Sequence, residues 1–132
     1  MKQKKYTLEV TEEQLHIVAD CVEDLCRFAA GQMELYNTTV MLDNHYELGE
    51  RLKELKPLVT PQLEWNASYP WNGGGCPNEL QRKFIAMTYG IYREIRHALA
   101  VEKQNGTWSV YSNPTLTCED SVPLPIIKRI LE

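Results

Sequence analysis

The arginine and tyrosine residues near position 90 are the part of this sequence best suited to binding chemistry. Tyr89, Arg93 and Arg96 recur at helical spacing, so they share one face of a predicted helix, and Tyr92 and His97 flank that face. A guanidinium group binds a phosphate through two parallel hydrogen bonds, and a tyrosine ring can stack on a nucleobase. The pattern predicts that these five residues bind a small phosphate-bearing molecule.

Arg27, in the first half of the chain, is a further candidate ligand-binding residue. It is the only arginine or lysine of the first predicted helix, over residues 11–36, where six acidic residues give a net charge of −5, whereas residues 80–104 have a net charge of +3. Gly31 follows one turn later, and a glycine inside a helix costs about 1 kcal/mol relative to alanine. That cost suggests that another helix or a ligand approaches the backbone beside Arg27. The alternative is that the arginines form structural salt bridges with the acidic helix.

A long connection over residues 57–78 is rich in proline and glycine and also contains Trp65, Tyr69 and Trp71. Loops of this length in compact domains usually have a function or move. Its glycine run, 73–75, lacks the Gly-Lys-Ser/Thr ending of a P-loop, so the favoured interpretation is a turn that lets the chain change direction sharply. The alternative is a lid whose aromatic rings close over a planar ligand, which makes Trp71 a further candidate ligand-binding residue.

The residue patterns for catalysis or metal binding are weak. Glu94 and His97 form one Glu-x-x-His pair, whereas a carboxylate-bridged di-metal bundle needs two such pairs and two further glutamates. Cys21 and Cys26 are five residues apart, which does not match a zinc-binding Cys-x-x-Cys motif. We therefore expect no catalytic residues, no metal and no cofactor. An enzyme with Glu94 and His97 as acid and base remains an alternative.

The charge and hydropathy of the chain exclude several classes of partner. Its 132 residues carry a net charge of −4, which argues against a broad nucleic-acid surface, so we expect no DNA binding. No run approaches the ~20 apolar residues of a membrane span, and no signal-peptide pattern follows the basic N-terminus. These features predict a cytoplasmic protein that does not bind membranes and whose four cysteines are reduced thiols.

The expected elements define a mostly helical α+β fold in a single domain over residues 1–132. Residues 11–14 have the pattern of a capping box at the start of the first helix, and Pro57 ends a shorter helix over 44–56. A third helix spans 78–104, so that two long helices pack antiparallel.

Two short segments, Tyr6–Val10 and Trp108–Tyr111, alternate apolar and polar residues as strands do. Their pairing predicts a small two-stranded antiparallel sheet, and the apolar residues at 126–131 suggest a short closing helix. A two-stranded sheet is marginal by itself, and the first helix is apolar on two sides. We therefore expect a homo-oligomer.

Two segments resemble motifs of small phage and prophage accessory proteins of uncharacterised function. Residues 25–34 (LCRFAAGQME) are similar to their first-helix motif, in which an arginine runs into Gly-Gln. Residues 89–99 (YGIYREIRHAL) are similar to their second motif, Tyr-x-x-Tyr-x-x-Ile-Arg-His. The resemblance implies a phage accessory protein that acts in the cytoplasm of a bacterial host.

Three functions follow as hypotheses. The first is a non-catalytic binding protein that sequesters a nucleotide-type host immune signal, such as a cyclic nucleotide or an ADP-ribose derivative. The second is a protein inhibitor whose acidic helix binds a basic surface of a host protein. The third is a small nucleotide-processing enzyme.

Overall fold

A computed structural model of the protein describes residues 3–102, 109–117 and 123–131. These residues contain five α-helices and one 3₁₀ turn. The helices are α1 (Glu12–Ala30), α2 (Tyr36–Thr39), α3 (His45–Lys53), α4 (Lys56–Val59) and α5 (Glu79–Glu102), and the 3₁₀ turn is Val110–Ser112.

The predicted α+β fold is wrong, because the described residues form helices and no strand. Residues 3–10 have no regular secondary structure, and Tyr6 and Leu8 are 90% and 78% exposed. The second predicted strand is a 3₁₀ turn, closed by hydrogen bonds between Ser109 and Ser112, and its Trp108 lies outside the described residues. Alternation alone therefore does not make a strand when no second strand is available to complete the ladder. The predicted closing helix is also wrong, because the chain at 126–131 is not helical.

The first helix begins as predicted and ends earlier than predicted. Thr11 and Gln14 form the capping box: Thr11 N–H donates to Gln14 Oε1 at 2.9 Å, and Gln14 N–H donates to Thr11 Oγ1 at 3.1 Å. The helix ends at Gly31, whose φ of +107° is left-handed and favours glycine. Gln32 N–H then donates to the Arg27 carbonyl at 2.8 Å. Gly31 therefore ends α1, and the continuation of this helix to Tyr36 is wrong.

Replacing the N-cap residue tests the start of α1. We expect Thr11→Ala to lower the free energy of unfolding by about 1 kcal/mol, because Gln14 N–H loses its acceptor. Urea denaturation measures the loss. Thr7→Ala, in the exposed segment 3–10, is the control and should be neutral; equal losses in the two variants would contradict the role of the cap.

The long helices α1 and α5 pack antiparallel, as predicted. Near one end of the pair, Gln81 Nε2 donates to the Ala29 carbonyl at 2.8 Å; near the other, Arg96 Nη2 donates to Asp20 at 2.8 Å. Between them lie two buried clusters. One contains Cys26, Ala30, Tyr69, Cys76, Ile85, Tyr89 and Tyr92, and the other contains Ala19, Ile95 and Leu99.

The chain between α1 and α5 folds back onto the end of α1. Tyr69 N–H donates to the Ala30 carbonyl at 2.8 Å, and Lys56 Nζ donates to the Gly31 carbonyl at 2.9 Å. Pro57 does not end the helix predicted over 44–56, because α3 ends at Lys53 and Pro57 lies in the first turn of α4. Proline is well tolerated there, since the amides of a first turn lack acceptors within the helix. None of the helices in the described ranges has the length and apolar character needed to cross a membrane.

Candidate functional site

The carboxylate of Glu23 on α1 lies between two of the predicted ligand-binding arginines. Its Oε2 accepts hydrogen bonds from Nε and Nη2 of Arg27 at 3.1 and 3.0 Å. Its Oε1 accepts from Arg96 Nη2 at 2.8 Å and from Asn37 Nδ2 at 3.0 Å. Burial works to raise the pKa of Glu23, but the hydrogen bonds from Asn37 and Arg27 and the charges of Arg96 and Arg27 lower it overall. These two guanidinium groups are therefore held by a structural carboxylate, as the salt-bridge alternative expected.

Tyr111 brings three more of the predicted residues together. The Arg93 guanidinium lies 4.7 Å from the Tyr111 ring centroid and that of Arg96 lies 5.5 Å from it, both in cation–π geometry. His97 Nδ1 lies 2.8 Å from the Tyr111 carbonyl oxygen. Arg93 makes no ion pair with another residue of the described ranges, which distinguishes it from Arg27 and Arg96. Sequence reasoning missed Tyr111 as a partner because it assigned this residue to a strand.

The predicted aromatic residues form part of the core. The rings of Trp71 and Tyr89 are 5.1 Å apart between centroids, and those of Tyr89 and Tyr92 are 5.7 Å apart and edge to face. Tyr89 and Tyr92 are buried, and burial raises the pKa of the Tyr92 phenol. These rings attach the connection to α5 and present little free surface to a ligand.

A depression of about 380 Å³ lies beside Arg27. Its lining includes three carboxylates, those of Glu23, Asp24 and Glu34, against the one guanidinium of Arg27. Asp24 is itself buried and accepts hydrogen bonds from the backbone N–H groups of Asn37 and Thr38 at 3.0 and 2.8 Å. Its carboxylate on α1 therefore provides acceptors for the first turn of α2. An acidic lining repels a phosphate group, which makes this depression a poor phosphate site.

A second depression, of about 320 Å³, has a different character. It lies where the end of α1 meets α3, α4 and the chain at 65–68. Its polar lining includes two lysines and one glutamate, together with an exposed indole. The residues that line it are Gly31, Gln32, Met33, Glu34, Lys53, Lys56, Trp65, Asn66, Ala67 and Ser68.

Lys56 is the unusual residue of this second depression. Its side chain is 5% exposed, and its ammonium group donates to the carbonyl oxygens of Gly31 and Ala67. An ammonium group has three N–H donors, so one hydrogen has no acceptor among the described residues. Lys53, by contrast, is neutralised by Glu50 at 3.1 Å and Glu34 at 3.7 Å. The charge of Lys56 meets carbonyl dipoles, and no carboxylate of the described ranges forms an ion pair with it.

Sequence reasoning missed Lys56 because lysines at helix ends are usually exposed. Gly31 was the available signal, because a glycine within the predicted helix suggested a close approach. In the structure an added Cβ would lie 3.1 Å from Lys56 Nζ. The approaching group is this side chain rather than a second helix. Trp65, which the sequence singled out as part of a lid, is 56% exposed at the same depression.

The residues considered for metal and acid–base chemistry have other partners. Glu94 Oε2 accepts from Thr115 Oγ1 at 2.8 Å, while His97 contacts Tyr111. No cluster of three or more His, Cys, Asp or Glu side chains suited to a metal occurs in the described ranges. Cys21, Cys26 and Cys76 are free thiols, and Cys118 lies outside those ranges.

Comparisons with protein-family models, with curated proteins and with solved structures give no significant match to this chain. The resemblance to phage accessory proteins therefore stays a prediction.

Proposed function

We propose that this protein is a non-catalytic binding protein for a small phosphate-bearing molecule of the nucleotide type, and that the Lys56 depression receives the phosphate. The observation that carries the proposal is the buried Lys56 ammonium, which has one free donor and no carboxylate partner in the described ranges. A phosphate oxygen supplies the missing acceptor and the missing negative charge together.

The other lining residues support a nucleotide in this place. Gln32, Asn66 and Ser68 offer neutral donors and acceptors for a sugar or phosphate, and the exposed Trp65 ring offers a face on which a base can stack. The resemblance to phage accessory proteins extends the proposal to a cyclic nucleotide or an ADP-ribose derivative that serves a bacterial host as an immune signal. Sequestration without turnover is the expected action.

The Arg93 surface is the alternative location on the same protein. Its guanidinium lacks a carboxylate partner in the described ranges, but it already lies on the Tyr111 ring, and Arg93 lines neither of the two depressions described above. We favour Lys56 because burial strengthens the electrostatic contribution of a charge.

A thermal-shift screen tests the function. The probes are inorganic phosphate, adenosine monophosphate, a cyclic dinucleotide and ADP-ribose. A probe present at one hundred times its Kd stabilises the fold by about 2.7 kcal/mol, which gives a rise of several degrees in Tm. A probe recovered unchanged after denaturation of the protein supports binding without catalysis. No stabilisation by any probe at millimolar concentration contradicts the proposal, and a converted probe shows an enzyme instead.

Variants then locate the site. Trp65→Ala and Lys56→Met should each weaken binding at least tenfold, or about 1.4 kcal/mol. The Tm of each free variant shows whether it folds, which matters for Lys56 because two carbonyls lose their donor. Tyr46→Ala removes an exposed ring that does not line the depression (78% exposed, against 56% for Trp65) and is the control for Trp65. Arg93→Ala, with Lys83→Ala as its control on α5, should leave binding intact; loss of binding in Arg93→Ala alone assigns the ligand to the sequence-predicted arginine surface.

A further inference from the structure

One side of the α1–α5 pair is an apolar surface open to solvent, which we call the open face. It consists of Val18, Val22 and Leu25 on α1 and Phe84, Met87 and Ile91 on α5. Spacings of three and four residues keep each set on one side of its helix. Val18 and Ile91 pack against the same buried cluster, so the two stripes run side by side. Leu25 is 51% exposed, and Phe84 and Met87 are each 42% exposed.

The open face has no charge. The stripe consists of every third or fourth residue, and none of these residues is Asp, Glu, Lys or Arg. They are Gln14, Val18, Val22, Leu25 and Ala29 on α1, and Leu80, Phe84, Met87 and Ile91 on α5. The exposed side of a helix normally has charged residues, and 24% of this chain is charged. The other side of α1 is different, because its acidic residues contact Arg96 and the chain at 37–38. An uncharged, half-exposed stripe is therefore a feature of this one side.

We propose that a second copy of this chain covers the open face and forms a two-fold symmetric dimer. An antiparallel helix pair that is open on one side is half of a four-helix bundle, and a second copy supplies the other half. A two-fold interface brings a surface against itself, so a net charge on that surface meets the same net charge on the partner. The open face avoids this repulsion because it is uncharged, although the chain has a net charge of −4.

The C-terminal segment, residues 123–131, packs beside the open face and limits the interface on one side. Ile127 packs against the cluster of Ala19, Ile95 and Leu99, and a Cβ on Gly90 would lie 3.1 Å from Leu124 Cδ2. These contacts lie toward the start of α1 and the end of α5. The second copy therefore binds the other part of the pair, around Leu25 and Met87.

Sedimentation velocity tests the dimer, with the full chain at about 50 µM. We expect twice the 15.3 kDa mass of one chain for the wild type and for Leu58→Glu, a control that adds the same charge at an exposed leucine on α4. Leu25→Glu and Met87→Glu should each give the mass of one chain, with an unchanged circular-dichroism spectrum because both side chains are partly exposed. A monomeric wild type overturns the proposal and leaves the face to a different protein. Dimers that persist in both face variants also overturn it. The thermal shift with phosphate probes reports the small-molecule site separately.

Discussion

Glu23→Gln should lower the free energy of unfolding by about 3 kcal/mol at pH 7. We expect a smaller loss from removing any other ionic contact of the described residues. The substitution keeps the shape of the side chain and removes the charge that binds Arg27 and Arg96. Arg96 then retains Asp20 as its one carboxylate partner in the described ranges, and its side chain is 15% exposed, so solvent cannot replace the lost contact. Urea denaturation gives the change in the free energy of unfolding. The expected loss is at the low end for a buried pair because Arg27 is 45% exposed.

The pH dependence of the free energy of unfolding provides a second test of the Glu23→Gln prediction. The pKa of Glu23 is lower in the folded protein than its ordinary value of 4.5, so its charged form contributes stability above that pH. The contribution is lost as the pH falls through the lower, folded pKa. The difference in free energy of unfolding between the wild type and Glu23→Gln should therefore be constant near neutral pH and become smaller in acid. Asp20→Asn, at a 45% exposed carboxylate, is the control and should lose less than 1 kcal/mol. A loss in Glu23→Gln no greater than in this control would show that solvent already screens the cluster.

Gly73→Ala should destabilise the fold by a similar amount, about 3 kcal/mol, for a steric reason. A Cβ at this position would lie 2.7 Å from the Arg82 carbonyl oxygen and 2.8 Å from its Cα, and both atoms belong to the backbone of α5. The φ of +70° adds strain of its own for an L side chain. A helix backbone cannot yield easily, so the glycine segment must separate from α5 or distort.

Gly75→Ala is a matched control only two residues away. Its φ of +86° is also left-handed, but an added Cβ meets no atom within 4 Å, so only the conformational cost of about 1 kcal/mol applies. Thermal or urea denaturation of both variants separates the two contributions. Equal losses would mean that the glycine run needs only its backbone freedom, and that close packing on Arg82 contributes nothing.

The parts of the fold that depend on near neighbours in the chain could be predicted. The capping box at Thr11 and the long helix now bounded by Glu79 and Glu102 both come from local patterns, and both are present. The wrong predictions arise where the same local pattern of apolar residues is compatible with more than one backbone structure. Met33 and Tyr36 continue the apolar spacing of α1, but Gly31 ends the helix, and Met33 is buried without being helical. The apolar spacing therefore predicted the burial of Met33 correctly and its secondary structure incorrectly, whereas Tyr36 is 68% exposed and begins α2.

The candidate site was harder to predict because its properties depend on distant contacts. Charge counting predicted that the acidic first helix and the basic third helix complement each other, and Glu23 with Arg96 shows this contact. Nothing local indicates that Lys56 is buried, since its acceptors belong to Gly31 and Ala67. Whether the protein is one domain, and whether it acts in a cytoplasm, stay predictions.

The end of α1 is joined to three distant parts of the chain through its main chain. The carbonyl groups of Ala29, Ala30 and Gly31 accept hydrogen bonds from Gln81, Tyr69 and Lys56 respectively. Main-chain carbonyls are present whatever the side chain, so evolution cannot remove these acceptors by point substitution. Tyr69 also donates through its main chain, which leaves Gln81 and Lys56 as the two partners that a mutation can delete. Related sequences should therefore keep a donor side chain at 56 and 81, whereas position 30 is restricted by its burial in the core rather than by its hydrogen bond.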